Sequence, residues 1–337
     1  VPSCRIPCPT MLFIDNGGET DASLNLALEE YCLLNLPIGE SYLLFYINAP
    51  SIIIGKHQNT LEEIDTDFVA EHDIRVVRRI SGGGAVYHDA GNINFSFIRR
   101  YDPKHFNNYS AFTGPVLEAL RDLGVPAELT GRNDLVVDGR KVSGNAQAVR
   151  GDRMLSHGTL LFRSDLDNVV RALRPKPGKL ESKGIKSIRS RVVNIGDFLP
   201  DTMGMEEFRA ALLKHIFPGH AIPPHVKLSD ADKAGVLALA DSRYRSWDWN
   251  FGHSPTFNVQ RVERWPIGEV DARLHVEHGH VVHAKFYGDF FSRRDISELE
   301  NALAGIRYHP EDLRAAAAAI KADEILEGVG LDELVRL

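Results

Sequence analysis

Hydrophobic residues recur along the chain at two spacings, one typical of strands and the other of helices. Alternating or β-branched runs predict strands at 42–48, 51–54, 74–78, 85–88, 92–98, 134–137, 140–143 and 154–162. The clearest helical pattern lies at 23–36, behind an Asp21 or Ser23 cap. Further helices are predicted at 109–123, 165–173, 205–216 and 229–243. Because strands and helices mix without a strict βαβ rhythm, the pattern favours an α+β fold over a doubly wound sheet.

The pattern restarts after a stretch rich in aromatic residues, glycine and proline at 244–257. Three strands near 260–265, 270–277 and 280–287 precede helices near 295–305, 311–322 and 330–337. We therefore predict a large mixed-sheet domain over 11–245, a linker over 246–257 and a smaller α+β domain over 258–337. Residues 1–10 hold three prolines and no hydrophobic run typical of a secretion signal. We expect them to be disordered or foreign to the natural chain, which would then begin at Met11.

Composition narrows the classes of partner. A chain of 337 residues predicts two domains, and its 43% hydrophobic and 25% charged residues are ordinary for a soluble protein. The net charge of −7 argues against broad nucleic-acid binding. No apolar run approaches the ~20 residues that span a bilayer, so no membrane partner is expected. The three cysteines, Cys4, Cys8 and Cys32, form no C-x-x-C pair, which favours a reducing cytoplasm over a disulfide framework or a zinc site.

Three consecutive glycines, Gly82–Gly84, lie between two predicted strands. Glycine weakens a strand and offers no side chain to pack. The triplet is therefore either an exposed loop or a backbone that must approach a ligand closely. Arg79, Ser81, Tyr87 and His88 flank it and would offer that ligand a charge, a hydroxyl, a ring and an imidazole.

Asp138-Gly139 between two apolar runs predicts a hairpin with a two-residue type I′ turn. In that register Lys141 faces Val136, and Asp134 faces Ser143. Because side chains alternate, Asp134, Lys141 and Ser143 are predicted to share one face, backed by an apolar face. The local pattern leaves open a surface ion pair, worth under ~1 kcal/mol, or a charged binding site.

Two further clusters have ambiguous local patterns. His157 and Thr159 alternate onto one face with Gly158 between them, which fits either a structural histidine or a site residue. The segment 171–191 carries eight basic residues and a single acidic one, Glu181. Its prolines and glycines predict a loop, typical of a lid or a linker. Such a loop suits a polyphosphate or an acidic partner surface.

Several familiar motifs are absent from the sequence. Gly82–Gly84 is not followed by Gly-Lys-Ser/Thr, and the chain has no G-x-G-x-x-G, G-x-S-x-G or His-x-x-x-His pattern. These absences weigh against P-loop enzymes, dehydrogenases, serine hydrolases and metalloproteases. A non-P-loop site that binds a nucleotide without a covalent enzyme intermediate remains.

Taken in order, the clusters resemble a known family. The motifs are Arg78–Asp89, Gly131–Leu135, Arg140–Ala146 and His157–Leu161, with further matches at Asn25–Glu30, Lys183–Val192 and Ser246–Gly252. They resemble lipoate–protein ligases of the single-chain, two-domain type, over nearly the whole chain after Met11. The resemblance implies a catalytic domain of the biotin/lipoate ligase fold at 11–245 and an accessory C-terminal domain.

The resemblance also implies a reaction in two steps. Lipoate and ATP give lipoyl-AMP and pyrophosphate, and an acceptor lysine then attacks the mixed anhydride to form an amide. Lys141 is the implied catalytic residue, between the lipoyl carbonyl oxygen and the phosphate, and Asp134 is the implied Mg²⁺ ligand. The basic loop around Lys183 would close over the adenylate and exclude water.

The remaining site residues follow from the same resemblance. The residues implied for ATP or adenylate are Arg79, Gly82, Gly83, Gly84, Ala85, Val86, Tyr87, Asn92, Asn133, Asp134, Lys141 and Lys183. Those implied for lipoate are Leu26, Tyr46, Arg79, Ser81, His88, Lys141, Ser143, His157 and Thr159. Tyr46 stands where some relatives have tryptophan, which alters the expected shape of the lipoyl pocket.

The family implies that the acceptors are lipoyl domains of 2-oxoacid dehydrogenase E2 subunits and the glycine-cleavage H protein, and we expect a cytoplasmic monomer. The main alternative is a lipoyltransferase that uses preformed lipoyl-AMP or a lipoylated donor. Octanoyl transfer needs a cysteine nucleophile near the site, and Cys32 lies on the first predicted helix instead. A module that only binds lipoate or a nucleotide would not need Asp134 and Lys141 on one face.

Overall fold

The structure, a computed structural model, describes residues 11–106, 108–131, 133–173, 191–251 and 258–337. The chain forms two compact units. The first comprises the described residues up to Ile53, Glu62–Val77 and Val86–Ser246. The second comprises Ile54–Leu61, Arg78–Ala85 and the described part of Trp247–Leu337. The three consecutive glycines therefore belong to the same unit as the C-terminal residues.

The elements mix strands and helices throughout. In the described residues the strands are β1 (Met11–Asp15), β2 (Ser41–Tyr46), β3 (Ser51–Ile54), β4 (Arg75–Arg78), β5 (Val86–His88), β6 (Asn92–Arg100), β7 (Ala127–Thr130), β8 (Asp134–Val137), β9 (Arg140–Arg150), β10 (Arg153–Leu161), β11 (His225–Val226), β12 (Val259–Trp265), β13 (Gly268–Glu277) and β14 (His280–Gly288). The helices of the same residues are α1 (Ala22–Asn35), α2 (Thr60–Glu63), α3 (Thr66–Glu71), α4 (Ser110–Asp122), α5 (Leu166–Ala172), α6 (Met205–Ile216), α7 (Asp230–Leu239), α8 (Trp247–Asn250), α9 (Ser297–Leu303), α10 (Pro310–Ala319), α11 (Ala322–Ile325) and α12 (Leu331–Arg336). Shorter turns of 3₁₀ or π type occur at Pro103–His105, Ile195–Phe198 and Ala240–Tyr244.

An eight-stranded mixed sheet forms the centre of the first unit, in the order β11-β1-β2-β6-β10-β9-β8-β7. Strand β1 is parallel to β2 and β11, and the other neighbours are antiparallel. One face of this sheet is apolar and packs with α4 and α6 into the main core. Members of that core include Leu43, Phe45, Phe95, Leu160 and Phe208.

Helix α1 covers the opposite face of the same sheet. It begins where the Asp21 side chain accepts a hydrogen bond from the Ser23 N–H at 2.8 Å. Leu26, Ala27 and Leu33 are buried along it, whereas Leu34 is exposed. Glu29 is buried as well, because it faces polar side chains of the sheet. This face, called the site face below, carries the polar residues of the candidate site.

The second unit has its own sheet and core. Strands β12, β13 and β14 form an antiparallel meander. Helices α9, α10 and α11 pack on it through residues such as Leu299, Leu303, Ala317 and Ile325. A further three-stranded sheet, formed mainly by residues of the first unit, has the order β4-β3-β5, and its β3 is antiparallel to β5.

The α+β fold predicted from the sequence is confirmed. Three strands escaped prediction, β1, β7 and β11, and the strand predicted at 140–143 continues to Arg150. The short strand β11 is recognisable only from its distant partner β1, because it consists of two residues. Within the described residues, no helix combines the length and the apolar character that crossing a membrane requires.

Candidate active site

The β8–β9 hairpin presents a close pair of opposite charges. Its turn is the predicted two-residue type, since Asp138 and Gly139 have φ of 50° and 71°. The Lys141 Nζ lies 2.9 Å from the Asp134 Oδ1. Both side chains remain accessible, at 39% and 36% exposure, while Leu135 and Val142 are fully buried beneath them. Buried apolar residues of the hairpin thus support the pair, and a ligand can reach both charged groups.

The predicted register of this hairpin is wrong beyond Val136. A bulge between Leu135 and Val136 pairs Asp134 with Gly144 and pairs Leu135 with Ser143. Ser143 is fully buried, and its hydroxyl accepts a hydrogen bond from the Asn145 side chain at 3.2 Å. The prediction that Ser143 shares the face of Asp134 and Lys141 is therefore wrong, because one extra residue in a strand reverses the faces after it.

Gly144 takes the place beside the charged pair that was predicted for Ser143. A Cβ added at Gly144 would lie 2.9 Å from the Lys141 Nζ and 4.0 Å from the Asp134 Oδ1. Its N–H donates to the Thr159 Oγ1 at 3.2 Å. The absence of a side chain at Gly144 therefore leaves room for the ammonium group of Lys141.

The backbone of Lys141 is fixed on its other side. Its N–H donates to the carbonyl of Arg191 at 2.6 Å, and its carbonyl accepts from the Val193 N–H at 3.0 Å. Arg191 ends the basic segment predicted as a lid, and most of that segment, Lys183 included, lies outside the described residues. The first unit thus places the end of that segment directly beside Lys141.

Polar side chains continue across the site face from the hairpin. Thr159 pairs with Asn94, and Asn94 pairs with Tyr46, so one row crosses β10, β6 and β2. A second row joins His157 to Ser96 in the same way. Asn94, Tyr46, Ser96 and His157 are all buried. Four of the predicted site residues, Lys141, Thr159, His157 and Tyr46, thus lie on one continuous face.

Glu29 of α1 joins three of these side chains. Its Oε1 accepts from the Tyr46 hydroxyl at 3.0 Å and from the Ser96 hydroxyl. Its Oε2 lies 2.9 Å from the His157 Nδ1. We call Glu29, Tyr46, Ser96 and His157 the Glu29 cluster. The sequence motif Asn25–Glu30 contained this glutamate, but only the packing of α1 identifies which side chains it meets.

A second polar chain reaches His88, another predicted lipoate residue. The His88 Nδ1 lies 3.0 Å from the Asn48 Nδ2, and the Asn48 Oδ1 accepts from the Asn25 Nδ2 at 2.9 Å. Asn25, Asn48 and His88 are all buried. Asn25 and Asn48 were not predicted as site residues: Asn25 begins the motif Asn25–Glu30 without an assigned role, and Asn48 lies in none of the motifs. Leu26, which was predicted, is buried next to Asn25 on α1.

The residues predicted near adenine lie in β5, β6 and the approach to β8. Tyr87 is 4% exposed, and burial, followed by Asp89, raises its pKa. Asn92 is buried and donates to the Asn94 Oδ1 at 3.1 Å. The Asn133 carbonyl accepts from the Asn145 side chain at 2.9 Å. Val86 is half-buried at the start of β5.

In the second unit the glycine segment is tightly packed. The Arg79 guanidinium donates to the carbonyls of Gly82 at 2.7 Å and Gly84 at 2.8 Å, and to the Ser81 hydroxyl at 3.0 Å. A Cβ on Gly82 would overlap the carbonyl oxygen of Phe290. Gly83 has φ of 93°, a conformation that favours glycine. These contacts explain two of the three glycines without a ligand.

Gly84 differs from its two neighbours. A Cβ at this position would meet no described atom within 4 Å. Neither packing nor backbone conformation within the described residues therefore demands glycine there. Close approach of a ligand, the explanation first offered for the whole triplet, now applies best to Gly84, with Ala85 directly after it.

The two adjacent arginines of this segment have different environments. Arg78 is buried and donates to the carbonyls of Gly55 at 2.9 Å, Gln58 at 2.6 Å and Asn250 at 3.1 Å. Burial lowers its pKa to about 10. Arg78 therefore fastens backbone segments together, whereas Arg79 shapes the glycine segment itself.

The charged pair also bears on metal binding. Among the described residues, no group of three or more His, Cys, Asp or Glu side chains is arranged to hold a metal ion. Asp134 offers a single, partly exposed carboxylate. Mg²⁺ commonly takes one or two carboxylates and completes its shell with substrate phosphates and water. A site of that kind fits Asp134, whereas an all-protein cage does not fit the described residues.

Cys32 does not provide a nucleophile. It is fully buried on α1, and burial, followed by Asp232 and Glu29, raises the pKa of its thiol to about 12. A thiol with such a pKa forms almost no thiolate near neutral pH. Cys32 is therefore a core residue of the helix.

Comparison with known protein families gives two matches. Residues 21–217 match the lipoyl protein ligase A/B catalytic domain, and residues 254–337 match the bacterial lipoate protein ligase C-terminus. The chain is 53% identical to lipoate-protein ligase LplJ of Bacillus subtilis, over 95% of each chain. It is 49% identical to lipoate–protein ligase 1 of Staphylococcus aureus, over 97% of this chain and 99% of the relative.

Solved structures with a similar fold agree with these matches. LipL1 of P. falciparum in complex with lipoate has a TM-score of 0.78 at 25% identity, over 97% of this chain and 98% of that one. A bi-partite lipoate protein ligase from Thermoplasma acidophilum, described with its E2 lipoyl domain, has a TM-score of 0.66 at 30% identity, over 75% and 100%. Lipoate-protein ligase A bound with ATP has a TM-score of 0.61 at 29% identity, over 73% and 99%.

Proposed function

The chain belongs to the lipoate–protein ligase family, and we propose that it attaches lipoate to a specific lysine of lipoyl acceptor domains through lipoyl-AMP. The observation that carries the proposal is the accessible Lys141–Asp134 pair, 2.9 Å apart, on a face that continues to Thr159 and His157. A solved relative that binds ATP and another that binds lipoate support both substrates.

The first step would join lipoate to AMP. A lipoate carboxylate oxygen attacks the α-phosphorus of ATP, the new P–O bond forms, and the bond to pyrophosphate breaks. Negative charge grows on the phosphoryl oxygens, and a fixed cation beside them stabilises that charge. Lys141 fits this role because its backbone is held at both N–H and carbonyl and Gly144 leaves space for its ammonium group.

The second step would form the amide. The amine of the acceptor lysine attacks the lipoyl carbonyl carbon and loses a proton, and AMP leaves. Lys141 would keep the carbonyl oxygen polarised in this step as well. Exclusion of water protects the anhydride from hydrolysis meanwhile, the role that we assign to the basic segment containing Lys183.

Asp134 would hold Mg²⁺ together with the phosphates of ATP. The bound ion would supply charge neutralisation at the phosphates, as it does in many phosphate-transfer sites. The carboxylate of Asp134 also keeps Lys141 oriented, since the two groups are already paired. The assignments of Arg79, Gly82–Ala85, Val86, Tyr87, Asn92 and Asn133 to the adenylate remain predictions.

Lipoate would lie against the site face under α1. Leu26, Tyr46, His157 and Thr159 come from the helix and from two strands of this face. Burial of the lipoyl chain would contribute roughly 0.8 kcal/mol per CH₂. Ser81 and His88 remain predicted pocket residues, while the buried Ser143 would stand only behind the pocket wall.

The acceptors would be lipoyl domains of E2 subunits of 2-oxoacid dehydrogenases and the glycine-cleavage H protein. The archaeal ligase described with its E2 lipoyl domain supports the first of these. We keep monomeric state and cytoplasmic location as predictions.

Release of pyrophosphate tests the reaction directly. We expect lipoate-dependent release from ATP in the absence of any acceptor, and transfer to a lipoyl domain once it is added. If pyrophosphate is not released but supplied lipoyl-AMP is transferred to the domain, the protein is a lipoyltransferase and the proposal is wrong. If neither reaction occurs, the alternative of a module that only binds lipoate or a nucleotide is favoured.

A further inference from the structure

An apolar cavity lies within the second unit, between its three-stranded meander and its helices. The volume of the cavity is about 240 Å³, and it is partly open to solvent. Strands β13 and β14 and helices α9, α10 and α12 contribute its walls, which include Leu274, Phe286, Leu303, Leu313, Ala317 and Leu334. The cavity shares no residue with the site face or with the β8–β9 hairpin, so it is a separate site.

Small side chains and a shallowly packed helix leave this space. Ala272 on β13 and Ala317 on α10 are buried in the core of the unit, where a methyl group fills little volume. Helix α12 has no fully buried residue, and its Leu331 and Leu334 are only partly buried against the same core. An empty apolar space is destabilising, because the side chains around it lose contacts. An apolar ligand would restore those contacts.

Two arginines add positive charge to the cavity wall. Arg261 and Arg336 both line the cavity and are exposed. Arg261 pairs directly with Ala272 across β12 and β13, so its side chain lies on the same sheet face as the cavity. Its described hydrogen bond goes to the Gln260 carbonyl at 2.9 Å, and among the described residues neither arginine forms an ion pair. Both guanidinium groups can therefore bind an anion.

We propose that this cavity binds a medium-chain carboxylate, with its acyl chain in the apolar space and its carboxylate at Arg261 and Arg336. Guanidinium groups bind carboxylates through paired, charge-assisted hydrogen bonds. An apolar cavity of about 150 Å³ holds benzene, so a cavity of about 240 Å³ has room for a chain of several methylene groups. A polyphosphate would leave the apolar walls uncovered, and a neutral hydrocarbon would leave both guanidinium groups unused.

Two kinds of molecule have this chemistry. A free fatty acid and lipoate each carry a carboxylate on an eight-carbon chain, and lipoate ends in a dithiolane ring. Octanoate and lipoate are therefore the two probes. The proposal does not depend on the proposed function, because the lipoate site of that reaction lies on the site face of the first unit.

Methyl NMR of the whole chain, titrated with octanoate, tests the proposal. The methyl signals of Ala317, Leu313 and Leu334 should shift and saturate. Octanoate can also enter the proposed lipoyl pocket, and the methyl signals of Leu26 report that event separately. A titration that shifts only first-unit signals, or none, would overturn the proposal.

The two parts of the ligand make separate contributions. Each methylene removed from octanoate should raise the Kd at this site about fourfold, as for burial of a CH₂ group. 1-Octanol keeps the chain and lacks the charge, and its Kd should be about tenfold higher than that of octanoate. Equal affinity for octanol and octanoate would contradict the proposal, as would an affinity that is independent of chain length.

Variants of the two arginines test the anionic end of the site. Arg261→Ala and Arg336→Ala should each raise the Kd for octanoate about three- to tenfold without changing the Tm, because both side chains are exposed. Arg307→Ala is the matched control: Arg307 is an exposed arginine of the same unit, lies outside the cavity wall and pairs with Asp312 at 2.7 Å. An equal effect of the control would assign the change to overall charge and contradict the proposal.

Leu334→Trp tests the apolar end, because the larger side chain occupies the cavity from α12. It should abolish the octanoate shifts of Ala317 and Leu313 while the Leu26 signals still respond. Undiminished binding at the cavity in the folded variant would overturn the proposal. If this variant does not fold, the arginine variants and the chain-length series decide.

Titration with lipoate identifies the source of the ligand. Shifts of the Ala317 and Leu313 signals by both probes would assign the site to carboxylates that include lipoate. Shifts by octanoate alone would assign it to fatty acids, since the dithiolane ring would then be excluded. Either result supports the site, and failure of both probes would refute it whether or not the protein activates lipoate.

Discussion

The β8–β9 hairpin and the Gly82–Gly84 segment differ in what their charged side chains and glycines contact. In the hairpin, Lys141 and Asp134 contact each other and remain about two-fifths exposed, so a ligand can reach both. In the glycine segment, Gly82 is pressed against Phe290, and the Arg79 guanidinium is bound to carbonyls of its own segment. The hairpin therefore presents an accessible charged pair, whereas packing accounts for much of the glycine segment.

The largest expected effect comes from the hairpin. Lys141→Ala should reduce lipoate-dependent pyrophosphate release by roughly 10²–10³-fold, as for loss of a group that stabilises charge in the transition state. The Tm should change little, because the pair with Asp134 is partly exposed. Pyrophosphate release and thermal unfolding measure the two effects separately.

Arg140→Ala is the control for this change, since Arg140 directly precedes Lys141 and begins β9 after the turn. We expect near-normal adenylation for it. Near-normal adenylation by Lys141→Ala would instead show that Lys141 is not needed for the reaction. The hairpin would then differ from the glycine segment only in exposure.

The second prediction separates the role of Gly82 from that of Gly84. Gly82→Ala should destabilise the fold by about 1–3 kcal/mol, because its Cβ overlaps the Phe290 carbonyl. Gly84→Ala should leave stability unchanged, since its Cβ meets open space, and should weaken ATP-dependent adenylation instead. Chemical denaturation and pyrophosphate release measure the two outcomes. A Gly84→Ala protein with normal stability and normal activity would show that no ligand approaches that backbone.

The third prediction concerns the acidic partner in the hairpin. Asp134→Asn should raise the Mg²⁺ concentration for half-maximal adenylation about tenfold, because it removes the charge of the proposed ligand. Asp138→Asn is the matched control, since Asn tolerates the left-handed conformation of this turn position, where φ is 50°. Titration of both variants with Mg²⁺ tests the assignment, and identical curves would exclude Asp134 as a ligand.

The smallest effect is expected at the far end of the site face. Tyr46→Phe removes one hydrogen bond to Glu29 and leaves the ring in place. This hydrogen bond holds Tyr46 in the proposed wall of the lipoyl pocket and does not involve lipoate itself. We therefore expect the lipoate KM to rise only about two- to tenfold. Lipoate titrations at fixed ATP measure this. A reduction as large as that of Lys141→Ala would mean that Tyr46 takes part in the chemistry.

The hairpin also shows where prediction from sequence succeeds and where it stops. Asp138-Gly139 carries its turn type in its own sequence, and the apolar positions Leu135 and Val142 are buried as their alternation requires. The bulge after Leu135 has no local signature, and it reversed the predicted place of Ser143. A faulty register propagates because every later side chain changes face.

Long-range contacts account for the other omissions. In the sequence, Glu29 and Glu30 are adjacent acidic residues on α1. Only their contacts distinguish them, because Glu29 meets the His157 ring whereas Glu30 meets the Tyr244 hydroxyl. The overlap of Gly82 with Phe290 joins residues more than two hundred positions apart. Neither contact leaves a pattern in the neighbouring sequence, whereas the strands, helices and motif residues do.

The most direct measurement is the formation of lipoyl-AMP from radiolabelled ATP and free lipoate without an acceptor, in the wild-type protein and in Lys141→Ala. We predict that lipoyl-AMP accumulates in the wild type and disappears once an added lipoyl domain becomes lipoylated. Lys141→Ala should accumulate almost none. Absence of lipoyl-AMP in the wild type would contradict the proposed adenylation, and equal accumulation in the variant would contradict the role of Lys141.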